Sequence, residues 1–244
     1  MKTRVDFEKK LFNSELKEWE ETIKTPRYKY LVKKVKEILK KKKYGKVLEV
    51  GCGITPYLGK INAKKKIGLD ISKELLKRNN KDYGEFINGN ALNCSKILKE
   101  KFDFIFMVGF LHHINEKEHF KLIKEIKKLL KKEGELLIVE PNMVSITFIY
   151  YYFKKLLERI NQSFVKKIIG FLDEDEKYIY PKKIKKILLK NNFQIKKAYT
   201  IQTLRFPPLK LIKKINIEKI NQILDKLIKR GGSVIVIIAK KNKI

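Results

Sequence analysis

Apolar positions along this chain recur in two alternating rhythms. From Val5 to Lys43 the spacing is helical, with Leu31, Val32, Val35, Ile38 and Leu39 on one face and Gly45 as the expected stop. Short apolar runs then follow at intervals, at Lys46–Val50, Lys66–Asp70, Glu85–Asn88, Phe102–Val108 and Glu135–Glu140. Each predicts a strand, and the almost wholly apolar Phe102–Val108 predicts one covered on both faces. Helical segments lie between them. Ser72 with Glu74 starts one, and Asn115 with Glu118 resembles a capping box that opens another. That second helix is expected to bury Phe120, Ile123, Ile126, Leu129 and Leu130 and to end at Gly134. Strands alternating with helices at this spacing imply parallel βαβ units with right-handed crossovers.

After Pro141 the rhythm breaks. Asn142 to Tyr180 holds a long aromatic, amphipathic stretch and the acidic turn Asp173–Glu176. The alternation resumes with a helix at Pro181–Lys190, a sixth strand at Phe193–Ile201, a basic helical segment at Leu209–Lys229 and a last strand at Ser233–Lys240. The expected organisation is a single domain over residues 1–244. Residues 1–44 form N-terminal helices, 45–141 a first half, 142–180 an insertion, and 181–244 a second half carrying a basic insertion at 202–232.

Composition narrows the class. With 43% apolar and 11% aromatic residues, the chain is no disordered basic tail, despite a net charge of +31. Lysine supplies almost all of that charge, as only Arg4, Arg27, Arg78, Arg159, Arg205 and Arg230 are arginine. The charge is also uneven, since Lys182 to Ile244 holds 18 basic residues against Glu218 and Asp225. The longest nearly unbroken apolar run, Ile146–Phe153, is about half of a bilayer-spanning helix. The charged opening Met1–Lys10 gives no signal peptide, so a soluble, cytoplasmic protein is expected. Cys52 and Cys94 supply neither a disulfide framework nor a metal spacing.

In open α/β sheets, ligands bind at the carboxyl ends of the strands, where the strand order reverses. Gly51-Cys52-Gly53 lets the backbone after strand one turn tightly and approach a ligand without a Cβ clash. Asp70 ends strand two, where an acidic residue can accept both ribose hydroxyls. Asn90 follows strand three, where an amide can hydrogen-bond an adenine edge. A nicotinamide-binding fold would place a third glycine where Pro56 stands.

Together these residues resemble class I S-adenosylmethionine-dependent methyltransferases. Val47-Leu48-Glu49-Val50-Gly51-Cys52-Gly53 is similar to their first motif, Ile67–Ser72 to their second, and Phe102–Ile105 with Leu111–Ile114 to the segment around their fourth strand. Leu136–Pro141 and Asn192-Phe193 resemble later landmarks, and the resemblance is strongest to the branch that methylates small molecules and lipids. It implies a Rossmann-like, mostly parallel seven-stranded sheet of order 3-2-1-4-5-7-6, with the last strand antiparallel, flanking helices and a helical cap. It implies S-adenosylmethionine as cofactor and no metal. Glu49 would sit near the methionine ammonium, and Gly51, Cys52 and Gly53 would wrap the methionine. Asp70 would hold the ribose, Ile71 would pack on adenine, Asn90 and Ala91 would read its edge, and a carbonyl at Met107 or Val108 would accept from the ammonium. Two departures stand out. Thr55 replaces a usual third glycine, and Asn90 replaces a usual acidic residue.

His112, His113 and His119 fall within eight residues, but adjacent rings on a regular element cannot face one ion, so a metal site is not expected. His113 is the candidate general base, with a pKa suited to removing a proton. Arg27, opening the helix that leads into strand one, is the candidate clamp for the cofactor carboxylate, where a planar bidentate fork is needed. The expected acceptor is a small, amphiphilic or lipid-like molecule. The two insertions would form a joint cap over it, with peripheral contact to anionic membrane. The alternatives are an RNA methyltransferase, since aromatics beside lysines also suit single-stranded RNA, or a non-catalytic member that binds a nucleic acid or protein.

Overall fold

A computed structural model describes residues 25–40, 42–145, 179–202, 217–227 and 231–242. The predicted caps at 142–180 and 202–232 therefore lie largely outside the described residues, as do residues 1–24. The first element is α1, Pro26–Leu39, where Thr25 Oγ1 accepts from the Tyr28 amide at 3.2 Å and Pro26 occupies the first turn. The strands are β1 (Lys43–Val50), β2 (Asn62–Asp70), β3 (Glu85–Asn88), β4 (Phe102–Val108), β5 (Leu130–Pro141), β6 (Phe193–Ile201) and β7 (Val234–Lys241). Between them lie α2 (Lys73–Lys77), α3 (Cys94–Ile97), α4 (His119–Leu129), α5 (Pro181–Lys190) and α6 (Ile217–Leu227).

The strands form a seven-stranded sheet of order β3-β2-β1-β4-β5-β7-β6. β1 runs parallel to both β2 and β4, while β7 lies antiparallel between β5 and β6. The order reverses between β1 and β4, which opens a crevice at their carboxyl ends. Alternation along the strands divides the apolar side chains between two cores. Val47, Phe104, Phe106, Leu137, Val139 and Val236 face α1 through Val35 and Leu39. Leu48, Ile105, Leu136 and Ile237 face α4 and α5 through Leu122, Ile126, Ile184 and Leu188. No helix among the described residues is long and apolar enough to cross a membrane.

The structure corrects three local expectations. Gly45 does not stop the first helix but lies inside β1, because Asp103 Oδ2 accepts from the neighbouring Lys46 amide at 2.6 Å and a Cβ on Gly45 would sit 2.6 Å from that oxygen. Gly134 likewise lies inside β5, where a Cβ would meet the Phe102 carbonyl oxygen at 3.2 Å. The buried face of α4 is His119, Leu122, Ile123, Glu125, Ile126 and Leu129, so Phe120 turns outward and stays 44% exposed. Two phenylalanines separate the readings. Phe106→Ala, at a fully buried position, should cost about 3–5 kcal/mol in urea unfolding, and Phe120→Ala less than about 1 kcal/mol.

Candidate functional site

The turn after β1 is held from both sides. Gly51 and Gly53 have φ of 69° and 49°, a region that disfavours side chains. The Gly51 and Cys52 amides both donate to the Leu69 carbonyl, at 2.8 and 3.2 Å. A Cβ on Gly51 would fall 2.0 Å from the Phe110 ring, so the absence of a side chain there is required by packing as well as by φ. Thr55 lies on the negative side of φ and makes its own contribution. Its hydroxyl donates to Glu49 Oε2 at 2.5 Å and accepts from the Tyr57 amide at 3.0 Å. Asn79 closes the turn, accepting from the Thr55 amide at 2.8 Å and donating Nδ2 to the Gly53 carbonyl at 2.7 Å.

Two carboxylates flank this turn. Glu49, at the end of β1, is 2% exposed. Burial raises its pKa well above the usual carboxylate range; the Thr55 hydrogen bond opposes the rise and the Asp70 charge adds to it. Asp70, at the end of β2, accepts from the Gly53 amide through Oδ2 and from the Ser72 amide through Oδ1, both at 2.8 Å. Its pKa is raised by burial, against those backbone bonds and the nearby His113. The Ile71 amide also contributes, and a carboxylate with about four lone-pair sites keeps acceptor capacity for a ligand hydroxyl. Cys52 is a packing residue, buried against Gly68 with its thiol pKa pushed well up by that burial. Tyr28 in α1 shares a hydrogen bond with Tyr57, and burial and the Glu49 charge push its pKa up to about 12. Arg27 precedes Tyr28 in α1, and its side chain lies outside the described residues.

The segment after β4 is organised by Glu140 at the end of β5, a residue only 1% exposed. Its Oε1 accepts from the Phe110 and Leu111 amides at 2.9 and 2.6 Å, and its Oε2 pairs with His112 Nδ1 at 2.8 Å. Gly109, at φ 63°, donates its amide to the Val139 carbonyl at 2.8 Å. His119 Nε2 lies 3.0 Å from both the Leu111 and Ile114 carbonyls, so that nitrogen carries the proton and bridges the two. The His113 ring packs on His112 at 4.0 Å between centroids, and its charge is near enough to oppose the rise in the Asp70 pKa. Met107 is fully buried and Val108 half-buried at the end of β4. On the far side, Asn90 Oδ1 accepts from the Leu92 amide at 2.9 Å beside buried Ala91, and Asn88 Nδ2 donates to the Ile71 carbonyl at 2.9 Å.

The candidate residues from Glu49 to His113 thus gather at the carboxyl ends of β1 to β4. Sequence reasoning passed over Asn79, Asn88, Phe110 and Glu140 and took Thr55 as a lost glycine. The usable signal for Glu140 was a carboxylate closing an otherwise apolar strand run. Among the described residues, no three His, Cys, Asp or Glu side chains form a metal cluster. Two variants test this arrangement. Glu140→Ala strands three donors and should cost about 3–5 kcal/mol in urea unfolding, while Glu140→Gln should cost less than half of that. Glu49 has a raised folded-state pKa, so the stability it contributes is fully present below its unfolded pKa and is lost as pH rises through the folded one. Glu49→Gln should therefore gain on the parent protein in denaturant unfolding as pH rises from about 4 to about 8.

Residues 48–138 match the family model described as a methyltransferase domain. An uncharacterized protein of Methanocaldococcus jannaschii is 31% identical over 105 residues, which span 41% of this chain and 42% of that protein. The fold is similar to that of a crystal structure of a SAM-dependent methyltransferase from Archaeoglobus fulgidus, at 21% identity, TM-score 0.58 and coverage of 91% of this chain and 98% of that one. It is also similar to magnesium protoporphyrin IX methyltransferase from Synechocystis with bound S-adenosylhomocysteine, at 14% identity, TM-score 0.63 and coverage of 98% and 100%. Residues 48–138 thus match a methyltransferase-domain model, and the seven-stranded sheet has the fold seen in class I S-adenosylmethionine-dependent methyltransferases.

Proposed function

We propose that this protein is an S-adenosylmethionine-dependent methyltransferase acting on a small, amphiphilic or lipid-like acceptor. The observation that carries the cofactor assignment is the pair of carboxylates, buried Glu49 and part-buried Asp70, on either side of the Gly51–Gly53 turn at the strand-order reversal. A buried carboxylate whose pKa is raised is stabilised by an arriving cation, so Glu49 suits a ligand ammonium. The Asp70 carboxylate, preset by two backbone amides, suits a pair of ribose hydroxyls. Ile71 would pack on the adenine, with Asn90 and Ala91 at its edge. Asn90 Oδ1 already accepts from Leu92, so its Nδ2 hydrogens are the donors left for a ring nitrogen. Gly51, Cys52 and Gly53 would follow the methionine chain, a carbonyl at Met107 or Val108 would accept from its ammonium, and Arg27 would clamp its carboxylate.

When bound, the cofactor would supply an electrophilic methyl on a sulfonium, for transfer to an acceptor nucleophile with S-adenosylhomocysteine as the leaving group. The protein supplies alignment and a dry cavity. His113, beside Asp70 and packed on the Glu140-bound His112, is the candidate base for an acceptor that carries a proton. The same reading takes the protein to be cytoplasmic, touching anionic membrane through its basic insertion at 202–232.

Calorimetric titration with S-adenosylhomocysteine tests the assignment. The parent protein should bind, and Asp70→Ala should weaken binding by about 1–3 kcal/mol through loss of the ribose hydrogen bonds. Equal affinity in the variant would remove Asp70 from the site.

A further inference from the structure

The crossover from β1 to β2 is short for a parallel connection. It runs from Gly51 to Ile61, and its regular structure is the single 3-10 turn Leu58–Lys60, where such connections usually carry an α-helix. Among the described residues, the space beside α1 forms a groove of about 610 Å³, lined on one side by α1 and on the other by Ile54, Thr55, Pro56 and Tyr83. Lys29, Lys33, Lys36 and Lys40 all lie on the α1 side, and Lys60 is close enough to Lys36 to repel it.

These lysines divide into two kinds. Lys33 pairs with Glu218 at 2.6 Å, and Glu37, the carboxylate on the lining, is 3.4 Å from Lys34. Among the described residues, Lys29, Lys36, Lys40 and Lys60 have no carboxylate within ion-pair distance. Lys36 is partly buried there, and its pKa is lowered by that burial and by its like-charged neighbours Lys60 and Lys40. At 1.5 Å per helical residue, Lys29 and Lys40 stand about 16 Å apart along the groove. The charge thus forms a line, set in a concave strip with tyrosine and proline on its walls. A line of charge in a concave strip suits an extended polyanion better than a flat lipid surface.

We propose that this groove binds the sugar–phosphate backbone of single-stranded RNA. The cationic line tracks the phosphates, while Tyr83, Ile54 and Pro56 offer apolar surface to the bases. This surface adjoins the Glu49 and Asp70 site, sharing Thr55 and Tyr28 with it, and it goes beyond the methyltransferase reading without depending on it.

The probe is a labelled oligouridylate of about 12 nucleotides, titrated with the full chain by fluorescence anisotropy at 50–200 mM salt. The variant Lys29→Gln/Lys36→Gln/Lys40→Gln/Lys60→Gln should bind at least tenfold more weakly. Its log–log salt slope should flatten by about 3, at about 0.7 per lost phosphate contact. A matched variant on the opposite layer, Lys96→Gln/Lys99→Gln/Lys121→Gln/Lys124→Gln, should change affinity less than threefold. S-adenosylhomocysteine affinity, measured on the same samples, should stay at the parent value, so failure of the cofactor reading shows up separately. Equal weakening by both variants, or no binding by the parent, overturns the proposal. So does binding to phosphatidylglycerol vesicles without binding to RNA. If the groove variant does not fold, photocrosslinking of 4-thiouridine RNA to the parent decides. Crosslinks on peptides containing Tyr83 or Lys36 support the groove, and crosslinks confined to other peptides contradict it.

Discussion

A carboxylate taken out of water has to be met by donors, and at Glu140 those donors belong to the loop that faces the crevice. Its two oxygens hold the Phe110 and Leu111 amides and the His112 ring, and these three contacts fix a segment with little regular structure of its own. Through Phe110 the constraint reaches the glycine turn, because that ring occupies the space a Gly51 side chain would need. Through the packed pair His112 and His113 it reaches the surroundings of Asp70. One buried side chain at the end of β5 thus sets the relation between the turns after β1 and β4, which pair as neighbours at the reversal of strand order.

The opposite wall uses the same principle with different partners. Glu49 has a threonine hydroxyl as its hydrogen-bond partner, and its raised pKa marks a group left short of positive charge. Asp70 is better supplied, with two backbone amides, yet burial still raises its pKa. A site built this way favours ligands that bring cationic or hydroxyl hydrogens, and it stores some destabilisation in the protein alone.

Much of the frame was legible as pattern. β4 lies where its apolar run puts it, because a strand covered on both faces has to be apolar almost throughout. The edge strands β3 and β6 and the helix α5 also lie where short runs with apolar residues and a helix-opening proline put them. The residues at the strand ends were legible for a related reason: a glycine turn or an acid directly after such a run has few structural uses. In α4, Ile123, Ile126 and Leu129 lie buried as their spacing put them, but the choice between Phe120 and Leu122 was not legible, since both are apolar and the sheet selects between them. Gly45 and Gly134 look like helix stops locally, and the contacts with Asp103 and Phe102 that decide otherwise come from distant parts of the chain. Asn79 and Glu140 were missed for the same reason. Their partners lie 24 and about 30 residues away, and nothing in the local sequence names them.

The central claim is that the carboxyl edge of β1 to β4 is one cofactor-binding surface. Amide hydrogen exchange with and without saturating S-adenosylhomocysteine tests this residue by residue. The account predicts slower exchange at Gly51–Thr55, Asp70–Ser72, Asn90–Leu92 and Gly109–His113, with β6 and β7 unchanged. Protection confined to other segments, or none at saturating ligand, would contradict it.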